Sequence, residues 1–407
     1  MRLNSDPRSA AALATLWTVV FVDLIGYGIL APLVPFYALR TGLGAEMITL
    51  VIAAYSLSQF VAMPVWGHIS DHYGRRPVLL ASMAGHALSY VLLAQAESWQ
   101  MLLLARILGG ITSANLATAY AYVTDVTAPE ERARHLGRLS AAFGMGFVIG
   151  PMLGGLLSGS GGIEQANFAL PAYAAASLSA LSFLGILFLL PESNRTGTEE
   201  APRSKASLLA SLASLRRQPR LAGLVSLCLI VITFVAAREA ILAIWAHDVH
   251  GLGPRYIGLV LGVSGATIAL FQFAAMGPLA KRFSSYTLVK AAILLYAAGW
   301  LGLLLATTWL NIALAVLVAA IATALFQTNM QTLISEQALP SERGLAMGVY
   351  QSSSSMARFI GQAGVGTVYA FVSPSAPFAL GVLMMIPALL LLGWTRRADR
   401  QAMELAE

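Results

Sequence analysis

Apolar runs about 20 residues long recur from one end of this chain to the other, joined by short polar connections, and this repetition constrains the fold more than any other feature. A run of that length in lipid must satisfy its own backbone donors and acceptors, so each is expected as a spanning helix. The expected spans are 12–36, 45–66, 77–95, 99–124, 136–158, 168–190, 221–246, 254–276, 286–306, 308–334, 345–372 and 376–395. Composition agrees, since 57% of the 407 residues are hydrophobic and only 11% are charged. A soluble domain has roughly 45–50% apolar residues.

A net charge of +6 would suggest nucleic acid in a soluble protein. Here the basic residues fall in connections on one side of the spans, which is topology, and a nucleic-acid partner is set aside. With the N-terminus inside, the cytoplasmic segments hold 19 Lys and Arg, against Arg40 and Arg255 outside. Both termini are then cytoplasmic. The single cysteine, Cys228, excludes an intrachain disulfide and a cysteine-based metal site. The polar start and long first run predict an uncleaved first helix rather than a signal peptide.

The longest hydrophilic stretch, Pro191 to Arg220, reads as a cytoplasmic linker between a six-span bundle at 1–190 and another at 221–407. The halves align. At an offset of about 211 residues, Asp125-Val-Thr-Ala-Pro129-Glu-Glu131-Arg132 meets Glu336-Gln-Ala-Leu-Pro340-Ser-Glu342-Arg343, and Gly137, Gly150 and Gly155 meet Gly348, Gly361 and Gly366. An internal duplication is expected.

Between the second and third runs stands Gly67-His-Ile-Ser-Asp71-His-Tyr-Gly74-Arg75-Arg76-Pro77, which reads as a tight turn. Its pattern resembles the corresponding loop of the major facilitator superfamily, at Gly67, Asp71, Gly74, Arg75 and Arg76. The resemblance extends over nearly the whole chain and implies an all-α membrane protein with twelve transmembrane helices in two six-helix, pseudo-symmetric bundles. It also implies a conformational latch in which Asp71 and Arg75 bond to an acidic residue at the end of the fourth span, a position Asp125 fits.

Charges inside spans are costly, so each is a site hypothesis. Asp23 lies roughly 15 Å into the first span at 1.5 Å per residue. Its surroundings, Asp23-Leu-Ile-Gly26-Tyr27-Gly28 followed by Pro32 and Pro35, resemble the first-span motif of the twelve-span drug–proton antiporters, tetracycline efflux proteins among them. Beside a partly dry cavity such a carboxylate can take a proton from one side and release it to the other. Arg106 resembles the fourth-span arginine of the same superfamily. It is a fixed positive charge and the expected partner of Asp23. Gly146, Gly150, Pro151, Gly154 and Gly155 resemble the fifth-span antiporter motif, where glycines allow close packing and proline bends the helix.

In the second half, Glu239 is a further proton-site candidate and Arg358 a candidate for an anionic substrate or an acid partner. Arg238 and Glu239, adjacent and about 100° apart on a helix, are not expected to face one partner. Candidate substrate-binding residues on spans that face the centre in this fold are Tyr27, Gln59, Asn115, Phe143, Gln272, Gln327, Gln351 and Arg358, with Tyr55 and Trp245 among the aromatic walls. The histidines lack metal-site spacing and are expected at the surface.

The resemblance implies a monomeric inner-membrane antiporter, not an enzyme, that exports lipophilic or amphipathic small molecules for protons by alternating access and needs no cofactor or metal. Two alternatives remain. One is a proton symporter or facilitator for sugars or organic acids on the same scaffold, and the other a transporter-like sensor or polytopic membrane enzyme.

Overall fold

The computed structural model describes residues 7–113, 115–127, 129–159, 162–193, 219–337 and 343–404, and every element among them is helical. In the first half, α1 (Pro7–Leu30) ends where Pro32 and Pro35 withdraw backbone donors, and α2 (Val34–Arg40) resumes the same span. Then come α3 (Ala45–Tyr73), α4 (Arg75–Ala94), α5 (Trp99–Thr112), α6 (Asn115–Val126), α7 (Pro129–Leu157) and α8 (Ala169–Leu189). The second half holds α9 (Pro219–His250), α10 (Pro254–Leu270), a π turn at Phe271–Ala275, α11 (Met276–Arg282), α12 (Ser285–Leu304), α13 (Trp309–Gln337), α14 (Arg343–Phe371) and α15 (Ala376–Glu404).

Ten helical segments are long and apolar enough to cross a membrane. The other two expected spans depart from that simple form for visible reasons. Span 99–124 is divided into α5 and α6 beyond the cap at Ser113. Span 345–372 is one helix, α14, whose middle carries Gln351, four serines and Arg358.

The segment expected as a turn is corrected. Gly67 to Tyr73 continue α3, and Gly74 alone reverses the chain, at φ 101°. A polar sequence does not stop a helix while its backbone bonds persist; a residue outside helical torsions does. A side chain at Gly74 would also strike the Glu192 carboxylate.

Contacts divide the chain into two units, Met1–Glu199 with Ala246–Ala266, and Glu200–Trp245 with Thr267–Glu407.

In unit 1 the core joins Leu16, Val20 and Leu24 of α1 to Leu79 and Met83 of α4, Tyr122 and Val123 of α6, Leu139 of α7 and Ile186 of α8. Lipid gives helices little hydrophobic reason to associate, so close packing must hold them. The α1–α7 seam shows how: a Cβ on Gly150 would lie 2.6 Å from the Gly28 Cα, and one on Gly146 would meet Leu24. Gly155 meets Gly258 of α10 in the same way, its Cβ falling 3.1 Å from that Cα. The core of unit 2 is aromatic. Tyr296 and Trp300 of α12 stack at 5.7 Å, Phe326 of α13 packs on Tyr296 at 6.2 Å, and Trp245 meets Phe378 at 4.9 Å.

Candidate functional site

On α1, Leu24 and Gly28 are one turn apart and face α7. Asp23 precedes Leu24 by about 100° of helix rotation and so turns aside, toward α4 and α8. Gly26 lies on that side too, against Ala175 and Tyr90. There the Asp23 carboxylate meets His86 of α4, Oδ1 to Nδ1 3.1 Å, and accepts from the Ser179 hydroxyl of α8 at 3.2 Å. One hydrogen lies between these two atoms. His86 Nε2 is then left buried with no hydrogen-bond partner. Tyr90 stacks on the imidazole at 5.8 Å.

Two expectations change here. Asp23 does not border an aqueous opening: it is 1% exposed and His86 3%, so the pair is sealed in the seam of three helices. His86 is an ion-pairing partner of Asp23. Arg106 lays its guanidinium 4.4 Å from the Tyr55 ring centroid, a cation–π contact, and is itself buried. Tyr55 also lies 5.6 Å from Tyr27, whose ring reaches Phe147 at 5.7 Å. His86 was expected at the surface with the other histidines, and its burial corrects that. The signal was present, because His86 stands in the middle of an expected span, where any titratable group is a site hypothesis.

The cytoplasmic cluster expected around Arg75 is assembled in unit 1. Arg75 is 4% exposed, with Nη1 2.6 Å from Asp71 Oδ1, Nε 3.0 Å from Asp125 Oδ2, and a further bond to Ser70. Glu192 completes it. Its two carboxylate oxygens accept from the backbone N–H groups of Arg75 and Arg76 at 2.8 and 3.1 Å, capping the start of α4 where the helix dipole favours negative charge. Arg76 reaches the Leu187 carbonyl at 2.6 Å, and Tyr122 donates to the Pro191 carbonyl at 2.9 Å. The end of α8 is thereby tied to the start of α4. Gly67 is exposed on α3.

In unit 2, Arg358 of α14 donates to Glu239 of α9 at 3.2 Å, each side chain about 40% exposed. Arg238 also comes round to Glu239, at 3.9 Å, its long stem bending where a short side chain could not. Between Leu221 and Ala246 the exposed residues of α9 are Ser226 and Glu239 alone. A lipid-facing helix exposes an apolar stripe, so Glu239 opens onto water.

Of the remaining candidates, Gln59 and Gln327 are half-buried, and Gln272 and Gln351 are exposed, Gln272 in the π turn and Gln351 two turns before Arg358. The side chains of Asn115 and Phe143 lie outside the described residues. Gly146, Gly150, Pro151, Gly154 and Gly155 form one buried strip of α7.

Residues 16–266 and 237–406 match the family model of the Major Facilitator Superfamily. The chain is 32% identical over 368 residues to the class C tetracycline resistance protein of Escherichia coli, covering 89% of this chain and 91% of that one. It is 24% identical over 351 residues to the quinolone resistance protein NorA of Staphylococcus aureus, covering 86% and 88%. Among solved structures, the human organic anion transporter MFSD10 superimposes with a TM-score of 0.69 at 23% identity, over 95% of this chain and 100% of that one.

Proposed function

The chain belongs to the major facilitator superfamily, and we propose that it exports lipophilic or amphipathic drugs across a bacterial inner membrane in exchange for protons, by alternating access. Support for the cargo class comes from relatives named for tetracycline and quinolone resistance. Support for proton exchange comes from one observation, the Asp23–His86–Ser179 cluster buried in the first span. The support is geometric: a carboxylate and an imidazole, the imidazole's Nε2 without a hydrogen-bond partner, lie together inside the spanning helices.

A coupling group has to be shut off while the carrier reorients, and the seam of α1, α4 and α8 provides that shut state. Parting of the seam is then the step at which the proton exchanges with water. Arg106 supplies a permanent positive charge beside Tyr55, and the Arg75 cluster latches the cytoplasmic side. The carrier works as a monomer, without a cofactor, with both termini in the cytoplasm.

The test uses purified protein in liposomes with tetracycline as probe. For transporters facing inside-out, an acidic lumen should drive tetracycline accumulation, and an uncoupler should abolish it. Accumulation driven by an acidic exterior would establish symport and end this reading, as would indifference to the gradient.

A further inference from the structure

Arg238, Glu239 and Arg358 are the charged residues in the interior of unit 2's spanning helices whose side chains the structure brings together. They stand well inside their helices, Arg358 at the centre of α14 and Glu239 past the middle of α9. The other described carboxylates of unit 2 lie toward helix ends, where Asp399 is occupied by Arg220 and Gln337 and Glu336 is the penultimate residue of α13. Among the described residues of unit 2, one carboxylate therefore faces two guanidinium groups.

Arg238 carries the imbalance. It is 7% exposed, and its Nε and Nη1 have no hydrogen-bond partner. Two unmet donors on a buried, permanent cation are costly unless an acceptor arrives. Guanidinium N–H groups suit an oxyanion, and the neighbouring Glu239–Arg358 pair is about 40% exposed, so a ligand can reach it.

We infer that this cluster seats an anionic oxygen of the transported molecule, a carboxylate or an ionised enol or phenol, on Arg238 and Arg358. Glu239 holds Arg358 in the empty carrier and yields it when the oxyanion enters. This site rests on the reading of the chain as a drug transporter and names the chemistry of its cargo. It is separate from the proton-bearing pair, which belongs to unit 1.

Binding of 2-naphthoate and of its neutral methyl ester to the full chain in nanodiscs, followed by tryptophan fluorescence, tests it. The acid should bind about tenfold more tightly than the ester, the worth of one charge-assisted hydrogen bond. Arg358→Gln should erase that preference. Glu239→Gln, which frees Arg358, should tighten the acid about threefold or more. Equal affinity for acid and ester, absence of saturable acid binding, or a preference surviving Arg358→Gln overturns the inference. Should Arg358→Gln fail to insert, Glu239→Gln decides alone, and weaker or unchanged acid binding counts against the site. Acid preference without gradient-driven tetracycline uptake would leave this site standing and remove the proton-exchange reading; the reverse pattern would do the opposite.

Discussion

The two charge clusters inside the spans differ in the properties that matter for transport. In unit 1, Asp23 and His86 are sealed, 1% and 3% exposed, and one acid meets one base. In unit 2, Glu239 and Arg358 are each about 40% exposed, and one acid meets two bases. A closed site with balanced partners suits a small ion that must not leak, whereas an open, unbalanced one suits a ligand that brings the missing charge.

The sharpest way to break this contrast is chemical access. In a Cys228→Ser background, a cysteine replacing Glu239 should react with a water-soluble maleimide about a hundredfold faster than one replacing Asp23, because thiol labelling follows exposure. Similar rates would show that the first seam is open to water.

Stability should follow the same division. Asp23→Ala strands His86 without its acceptor in a buried seam and should cost about 3 kcal/mol in thermal unfolding. Gly150→Ala pushes a methyl into Gly28 and should cost roughly 1–3 kcal/mol while slowing transport. Ser179→Ala removes one bond to Asp23 and should cost about 1 kcal/mol. Glu239→Ala, at an exposed pair, should change unfolding by roughly 0–1 kcal/mol. A Glu239→Ala variant as unstable as Asp23→Ala would mean that the open cluster is structural.

Much of this arrangement could be read from local sequence, and the unread part has a common cause. Arg75, Asp71 and Asp125 were legible because their spacing is tied to one helix junction. Glu192 was not. It lies far along the chain in a stretch that reads as linker, and only the fold brings it to the start of α4. The depth of Asp23 follows from counting residues, but its direction depends on which faces of α1 the glycines of α7 claim. Hydropathy likewise marked Gly67 to Tyr73 as polar, yet it carries no information on whether the helix ends there. The polar middle of α14 still reads as a span because neighbouring helices and water receive its polar face.

The central claim, that the Asp23–His86 pair carries the exchanged proton, is tested most directly by Asp23→Asn in liposomes, comparing gradient-driven tetracycline uptake with tetracycline counterflow at equal pH. Loss of gradient-driven uptake with counterflow retained is the expected result. Gradient-driven uptake at the wild-type rate would contradict the claim.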